Sequence, residues 1–218
     1  MMKKLGFTLS EVLITLAIIG VIAAITMPAL MTNIMNQQVG TSLAKAYNTL
    51  ENANKLALAE NSVRNLDAIP GVGNNYLNLI KRYVAGHDTA AGNYWSYDRS
   101  AGFSSGPGYT SNDGITYYST AGITARNTNV SYCSGRYYVV EVDVNGQNKG
   151  PNTRGIDMFI FFVDTRGHVI PRGGELDKEY FGAQAASYLT NCSRGSVASG
   201  GMDCAGAIAD NNWRVLYR

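Results

Sequence analysis

Hydrophobic and polar positions divide the chain into stretches with different periods. From Val12 to Met31 there are twenty residues without a charge, which at about 1.5 Å per residue form a helix of roughly 30 Å, the thickness of a bilayer's hydrocarbon core. Beyond it the apolar positions thin to Val39, Leu43, Ala46, Tyr47, Leu50, Ala53 and Ala57, spaced by three and four, with Lys45, Asn48, Glu51, Asn52 and Lys55 on the other face. This is the pattern of an amphipathic helix. Gly40 lies inside it and weakens it by about 1 kcal/mol relative to alanine, which points to a close packing contact more than to a hinge. The pattern fades after Ala59 and Pro70-Gly71 ends any helix, so the spacing predicts one rod of roughly fifty residues.

Further along, Tyr76, Leu77, Leu79, Ile80, Tyr83 and Val84 predict a short amphipathic helix, and residues 86–114 are rich in Gly, Ser, Tyr, Asn and Asp. Strands are predicted for Ile115–Ser119, Arg136–Val144 and Asp157–Val163, where β-branched and aromatic residues concentrate. Thr165-Arg166-Gly167 turns the chain into His168-Val169-Ile170, a hairpin return stopped by Pro171. After a short helix or turn from Cys204 to Ile208, Trp213 to Tyr217 predict a final apolar strand with Trp213 packed on the core. The fold class expected is α+β, a long N-terminal helix packed on an antiparallel sheet. Residues 61–218 leave enough chain for one head with its own core.

Composition narrows the chemistry. Charged residues are 16% of the 218, with 24 Gly and 14 Tyr, and the formal charge is +2. A balance this close to neutral supports no general electrostatic grip on nucleic acid. His87 and His168 are the only histidines, and no phosphate-binding, zinc-protease or nucleophile-elbow motif occurs. Glu175, Asp177 and Glu179 suit a solvated face or a helix start. No enzymatic activity is expected.

The N-terminus is more informative. Lys3 and Lys4 precede the apolar run and hold that side in the cytoplasm. A cleaved secretory signal fits poorly, because Gly6 stands before the run, no A-x-A-like site closes it, and a lone carboxylate, Glu11, lies near its start. Carried to mid-bilayer, such a group costs about 2.5–3.5 kcal/mol, so a cationic partner is expected. The run Lys3-Lys4-Leu5-Gly6-Phe7-Thr8-Leu9-Ser10-Glu11 resembles the processing site of type IV pilins and type II secretion pseudopilins, and Pro28 matches a proline of that family's membrane helix. The resemblance implies a leader of residues 1–6 recognised through Lys3 and Lys4, cleavage after Gly6 and methylation of Phe7 by a prepilin peptidase. A transmembrane and filament-core helix, kinked at Pro28, would then span 7–31, continued by 32–60. It also implies pairing of Glu11 with the freed amine of a neighbouring subunit, since two charges buried in lipid are tolerable only together. The implied partners are identical or homologous subunits in a helical filament, an inner-membrane assembly platform, and membrane lipid before assembly. The chain would sit single-pass in the cytoplasmic membrane with its head outside, then in a periplasmic or extracellular filament.

Two features of the head remain. Asp143, Asn145 and Asp157 supply oxygens around a tight turn of the kind calcium takes, although Arg154 stands where an EF-hand would place its closing glutamate. Asn145-Gly146 and Pro151-Asn152 serve equally well as turn formers, and that reading carries more weight on sequence grounds. The segment also resembles an element of pilin-like heads. Cys192 and Cys204 enclose eleven residues rich in Gly and Ser, and a crosslink there would contribute roughly 3 kcal/mol in the chain-entropy model. This pairing is favoured, while Cys133 with either partner stays open. Tyr94, Trp95, Tyr97 and Tyr109 suggest a second function, a membrane-anchored adhesive or carbohydrate-binding domain. A DNA-uptake pilin is a further alternative within the resembled family.

Overall fold

The computed structural model describes residues 8–73, 75–89, 107–119, 124–125, 136–181, 192, 201 and 203–215. The chain divides into two compact units, residues 1–38 and 39–218. Helix α1 runs from Leu9 to Glu60, 52 residues, and contributes to both.

In the first unit α1 is an apolar rod with its side chains outward. Leu9 is 80% exposed, and Leu13, Ile14, Leu16, Ile19, Val21, Ile25 and Leu30 are exposed as well. Pro28 lies inside the helix without dividing it. The threonines of this stretch spend their hydroxyls on their own helix: Thr15 donates to Val12 O (2.9 Å), Thr26 to Ile22 O (2.9 Å) and Thr32 to Pro28 O (3.0 Å). Such a surface offers lipid almost no unmet polar group, as a membrane-spanning helix requires. This is a helix long and apolar enough to cross a membrane.

The second unit is the head. Leu43, Ala46, Leu50, Ala53 and Ala57 are buried there, following the three-four spacing. A 3-10 turn at Leu66–Ala68 and α2 (Leu77–Tyr83) return the chain to the sheet, contributing Leu66, Leu77, Leu79 and Ile80 to the core. The strands are β1 (Gly86–Asp88), β2 (Tyr109–Ser111), β3 (Thr116–Ser119), β4 (Thr124–Ala125), β5 (Arg136–Asp143), β6 (Met158–Asp164) and β7 (Val169–Pro171). They form one antiparallel sheet in the order β1-β2-β3-β5-β6-β7, with β4 pairing the start of β5. The β5–β6 ladder runs from Tyr137↔Asp164 to Asp143↔Met158.

Because side chains alternate along a strand, each long strand serves two faces. Tyr138, Val140 and Val142 of β5 with Phe159, Phe161 and Val163 of β6 face α1 and α2. Tyr137, Val139, Ile160 and Phe162 form a second apolar cluster with Ile170, against which Tyr180 of α3 (Glu175–Phe181) packs. Both faces are therefore covered, which explains the unbroken Met-Phe-Ile-Phe-Phe-Val run of β6.

Three elements differ from the expectations of the sequence. Residues 86–111 contain β1 and β2, three residues each, too short to show a period of their own; β1 pairs β2 across more than twenty residues, and β2 also pairs the neighbouring β3. Of the two alternatives for Glu175, Asp177 and Glu179, the helix start holds and the solvated face does not extend to Asp177, which lies in the first turn of α3, fully buried, with its Oδ2 accepting Gly173 N–H at 2.8 Å. After α4 (Cys204–Asp210) no strand forms among the described residues. Asn212 and Trp213 instead take positive φ angles of 52° and 60°. This kinked return lets Trp213 pack on Tyr47, ring centroids 5.3 Å apart.

Candidate functional site

Thr8 and Glu11 build the start of α1. Glu11 Oε2 accepts both the backbone N–H and the hydroxyl of Thr8, each at 2.8 Å, while Thr8 Oγ1 accepts Glu11 N–H at 3.4 Å. This reciprocal arrangement is a capping box, which satisfies helix N–H groups that have no intrahelical acceptor. Thr8-x-x-Glu11 is the usual sequence sign of such a box, and Thr8 belongs to the site on this ground. Glu11 thus holds a second role beside the expected intersubunit pair: within one chain its carboxylate already closes the helix end. Lys3, Lys4, Gly6 and Phe7 lie outside the described residues.

The loop between β5 and β6 gathers Asp143, Asn145 and Asp157 as the sequence suggested. Asp157, 2% exposed, accepts Thr153 N–H on Oδ1 (2.6 Å), and Asn152 N–H (2.8 Å) and Asn145 Nδ2 (3.3 Å) on Oδ2. Asp143, 1% exposed, receives Asn145 N–H (3.2 Å) and Gly146 N–H (2.9 Å) on Oδ1. Burial, and then the charge of Asp157, push the Asp143 carboxyl up to about 7. Arg154 Nε lies 3.2 Å from Glu141 Oε1. Among the described residues no three His, Cys, Asp or Glu side chains converge as a metal cluster. The acids here are two, and any further donors must be amide or carbonyl oxygens.

Cys192 and Cys204 are joined, with Cα atoms 4.7 Å apart. Cys204 opens α4 and is fully buried. Cys133 falls outside the described residues, as do Tyr94, Trp95 and Tyr97. Tyr109 is described, and it is no sugar platform: it is 7% exposed and its hydroxyl donates to Val84 O at 2.8 Å. His87 is exposed on β1, and His168 Nδ1 lies 2.9 Å from Asp164 Oδ2, with no nucleophile completing a triad among the contacts described.

Residues 1–27 match the prokaryotic N-terminal methylation motif, the signature of type IV pilins and pseudopilins. No curated protein and no solved structure matches the chain.

Proposed function

We propose that this chain, whose first 27 residues carry the methylation motif, is a structural subunit of a type IV filament or type II secretion-type system. The observation that carries the reading is the continuity of that motif with an α1 whose apolar side chains, Leu9 to Met35, are exposed. Such a surface is stable in lipid or against copies of itself, and in water it is not. A peptidase cuts between Gly6 and Phe7 and methylates Phe7, Lys3 and Lys4 having held that end in the cytoplasm. Removing them takes the formal charge from +2 to 0. The helix then leaves the bilayer by entering a filament core, with Glu11 meeting the amine of a neighbour's Phe7. Partners are the peptidase, related subunits and a membrane assembly platform.

Mass spectrometry of mature protein tests this reading. The expected species lacks six residues and carries one methyl group on Phe7. Intact Met1 in protein recovered from filaments would overturn it. The adhesive alternative is left with the aromatics of residues 94–97, since Tyr109 belongs to the core.

A further inference from the structure

Helix α4 ends in a way that explains one of its two left-handed residues and leaves the other without a local cause. Asn212 N–H donates to Ala209 O at 3.1 Å and Trp213 N–H to Ile208 O at 2.8 Å, the paired bonds of a Schellman ending, in which the residue after the cap is left-handed. That residue is Asn212, with φ 52°, and asparagine tolerates the conformation. The helix needs nothing further. Trp213 nevertheless stays left-handed at φ 60°, where every other positive φ among the described residues belongs to Gly, Ser or Asn. For a bulky side chain this is an outlier, and it persists only where the surroundings impose it.

The surroundings here are α1. The left-handed turn lays Trp213 O on the bare backbone of Gly40, where a Cβ would stand 2.0 Å away, and sets the indole on the Tyr47 ring, centroids 5.3 Å apart. Gly40 is the first buried residue of α1, so the segment closes over the turn by which the helix enters the head. Its two ends are held differently. The root is fixed by the Cys192–Cys204 crosslink, by Gly206 N–H donating to Arg172 O at 2.7 Å, and by Arg172 Nε donating to Asp203 Oδ1 at 2.8 Å. The described hydrogen bonds of the tip return to the end of α4: Arg214 N–H to Asn211 O at 3.1 Å and Asn211 Nδ2 to Arg214 O at 3.0 Å. Among the described contacts, packing alone holds it on α1.

We propose that residues 212–215 form a releasable clip on α1. Shut, it starts the buried part of α1 at Gly40. Open, Trp213 relaxes to ordinary backbone, Val39, Gly40 and Tyr47 are uncovered, and burial of α1 starts at Leu43, the next buried residue. The turn of α1 at residues 39–42 is thereby freed from the head while the sheet and the root of the clip stay folded. Backbone strain at Trp213 favours opening, whereas the ring contact and the fit over Gly40 favour closure. This opposition puts the clip at the low end of the range of local stabilities within one fold. On the filament reading given above, the clip decides whether that turn of α1 is open to a neighbouring subunit.

The test uses the detergent-solubilised full chain carrying Trp95→Phe, which leaves Trp213 as its single tryptophan. On warming, acrylamide quenching of Trp213, corrected against a free tryptophan amide, should rise several-fold before the ellipticity of the sheet is lost, and should fall again on cooling. Gly40→Ala, whose Cβ wedges the clip open, should show the high quenching already in the cold, with the sheet still melting in one cooperative step. Quenching that rises only together with sheet melting would overturn the proposal. So would a Gly40→Ala protein quenched no more than its parent, or one whose sheet is lost where the parent is folded, since the contact would then belong to the core. These readings need no filament, so the clip stands or falls separately from the cleavage of the leader.

Discussion

Asn54 is polar where the other buried positions of α1 are Gly, Leu and Ala. Its Nδ2 donates to Gly167 O at 2.8 Å and its Oδ1 accepts the Tyr76 hydroxyl at 2.5 Å, so helix, α2 entry and β6–β7 turn meet on one amide. Asn54→Ala strands two buried partners at once, a loss of roughly 2–4 kcal/mol, which thermal melting should record as a fall of about 5–15 °C. An unchanged melt would show that water replaces the amide. Glu11 allows a finer dissection. Glutamine serves in a capping box as glutamate does, so Glu11→Gln preserves the helix cap and deletes the charge. If the intersubunit pair drives assembly, Glu11→Gln should be processed normally yet be absent from filaments by crosslinking, as Glu11→Val should be. Normal incorporation of the glutamine variant alone would assign Glu11 to capping.

At the scale of elements, α1 was legible because its spacing is long and regular, and its end near Ala59 agrees with the observed Glu60. Strands β5 and β6 were legible from their β-branched and aromatic runs. Hidden from the sequence were β1, β2 and β4, each of two or three residues, too short to show a strand period before their partners are known. The packing of Trp213 on the core was legible too, while the left-handed backbone at Asn212 and Trp213 that brings it there was not. The candidate loop was legible in Asp143, Asn145 and Asp157, while Asn152 needed the fold to bring it near. Gly40 joins these threads. A Cβ there would stand 2.0 Å from Trp213 O, so the packing contact inferred from a glycine inside a helix has a named partner. Alanine normally gains about 1 kcal/mol over glycine in a helix. Gly40→Ala should nevertheless destabilise the head, lowering Tm and exposing Trp213 by fluorescence. Gly20→Ala, with nothing within 4 Å, should leave the melting of the isolated chain unchanged or raised.

For the whole molecule, buried charge sets a pH response. Glu141 is 1% exposed, and burial pushes its carboxyl up to about 7 despite the pull of Arg154 and Arg172. The folded state therefore holds this proton more tightly than the unfolded chain does, and the folded protein loses stability as pH rises from about 4.3 towards 7. Tm should fall across this window and level off above it, and Glu141→Gln should make the fall shallower without abolishing it, because burial raises the Asp143 carboxyl in the same direction. A Tm that climbs with pH there would contradict the assignment.

If the chain is held in a filament by its helix, as proposed, any pull on its head is felt through the places where α1 is tied to the rest. The ties at the β6–β7 turn are few and close together: Glu51 to Val169 N–H, Asn54 to Gly167 O, and Leu66 N–H to Thr165 O just beyond the helix. Five consecutive residues thus collect three anchors, and because no long run of chain separates them they share strain instead of failing one by one. Tension passing along α1 would reach the sheet through this tight corner as well as through the packed face of Leu43 to Ala57 and the Lys45–Asp113 pair, so the turn acts as one rivet of a riveted seam.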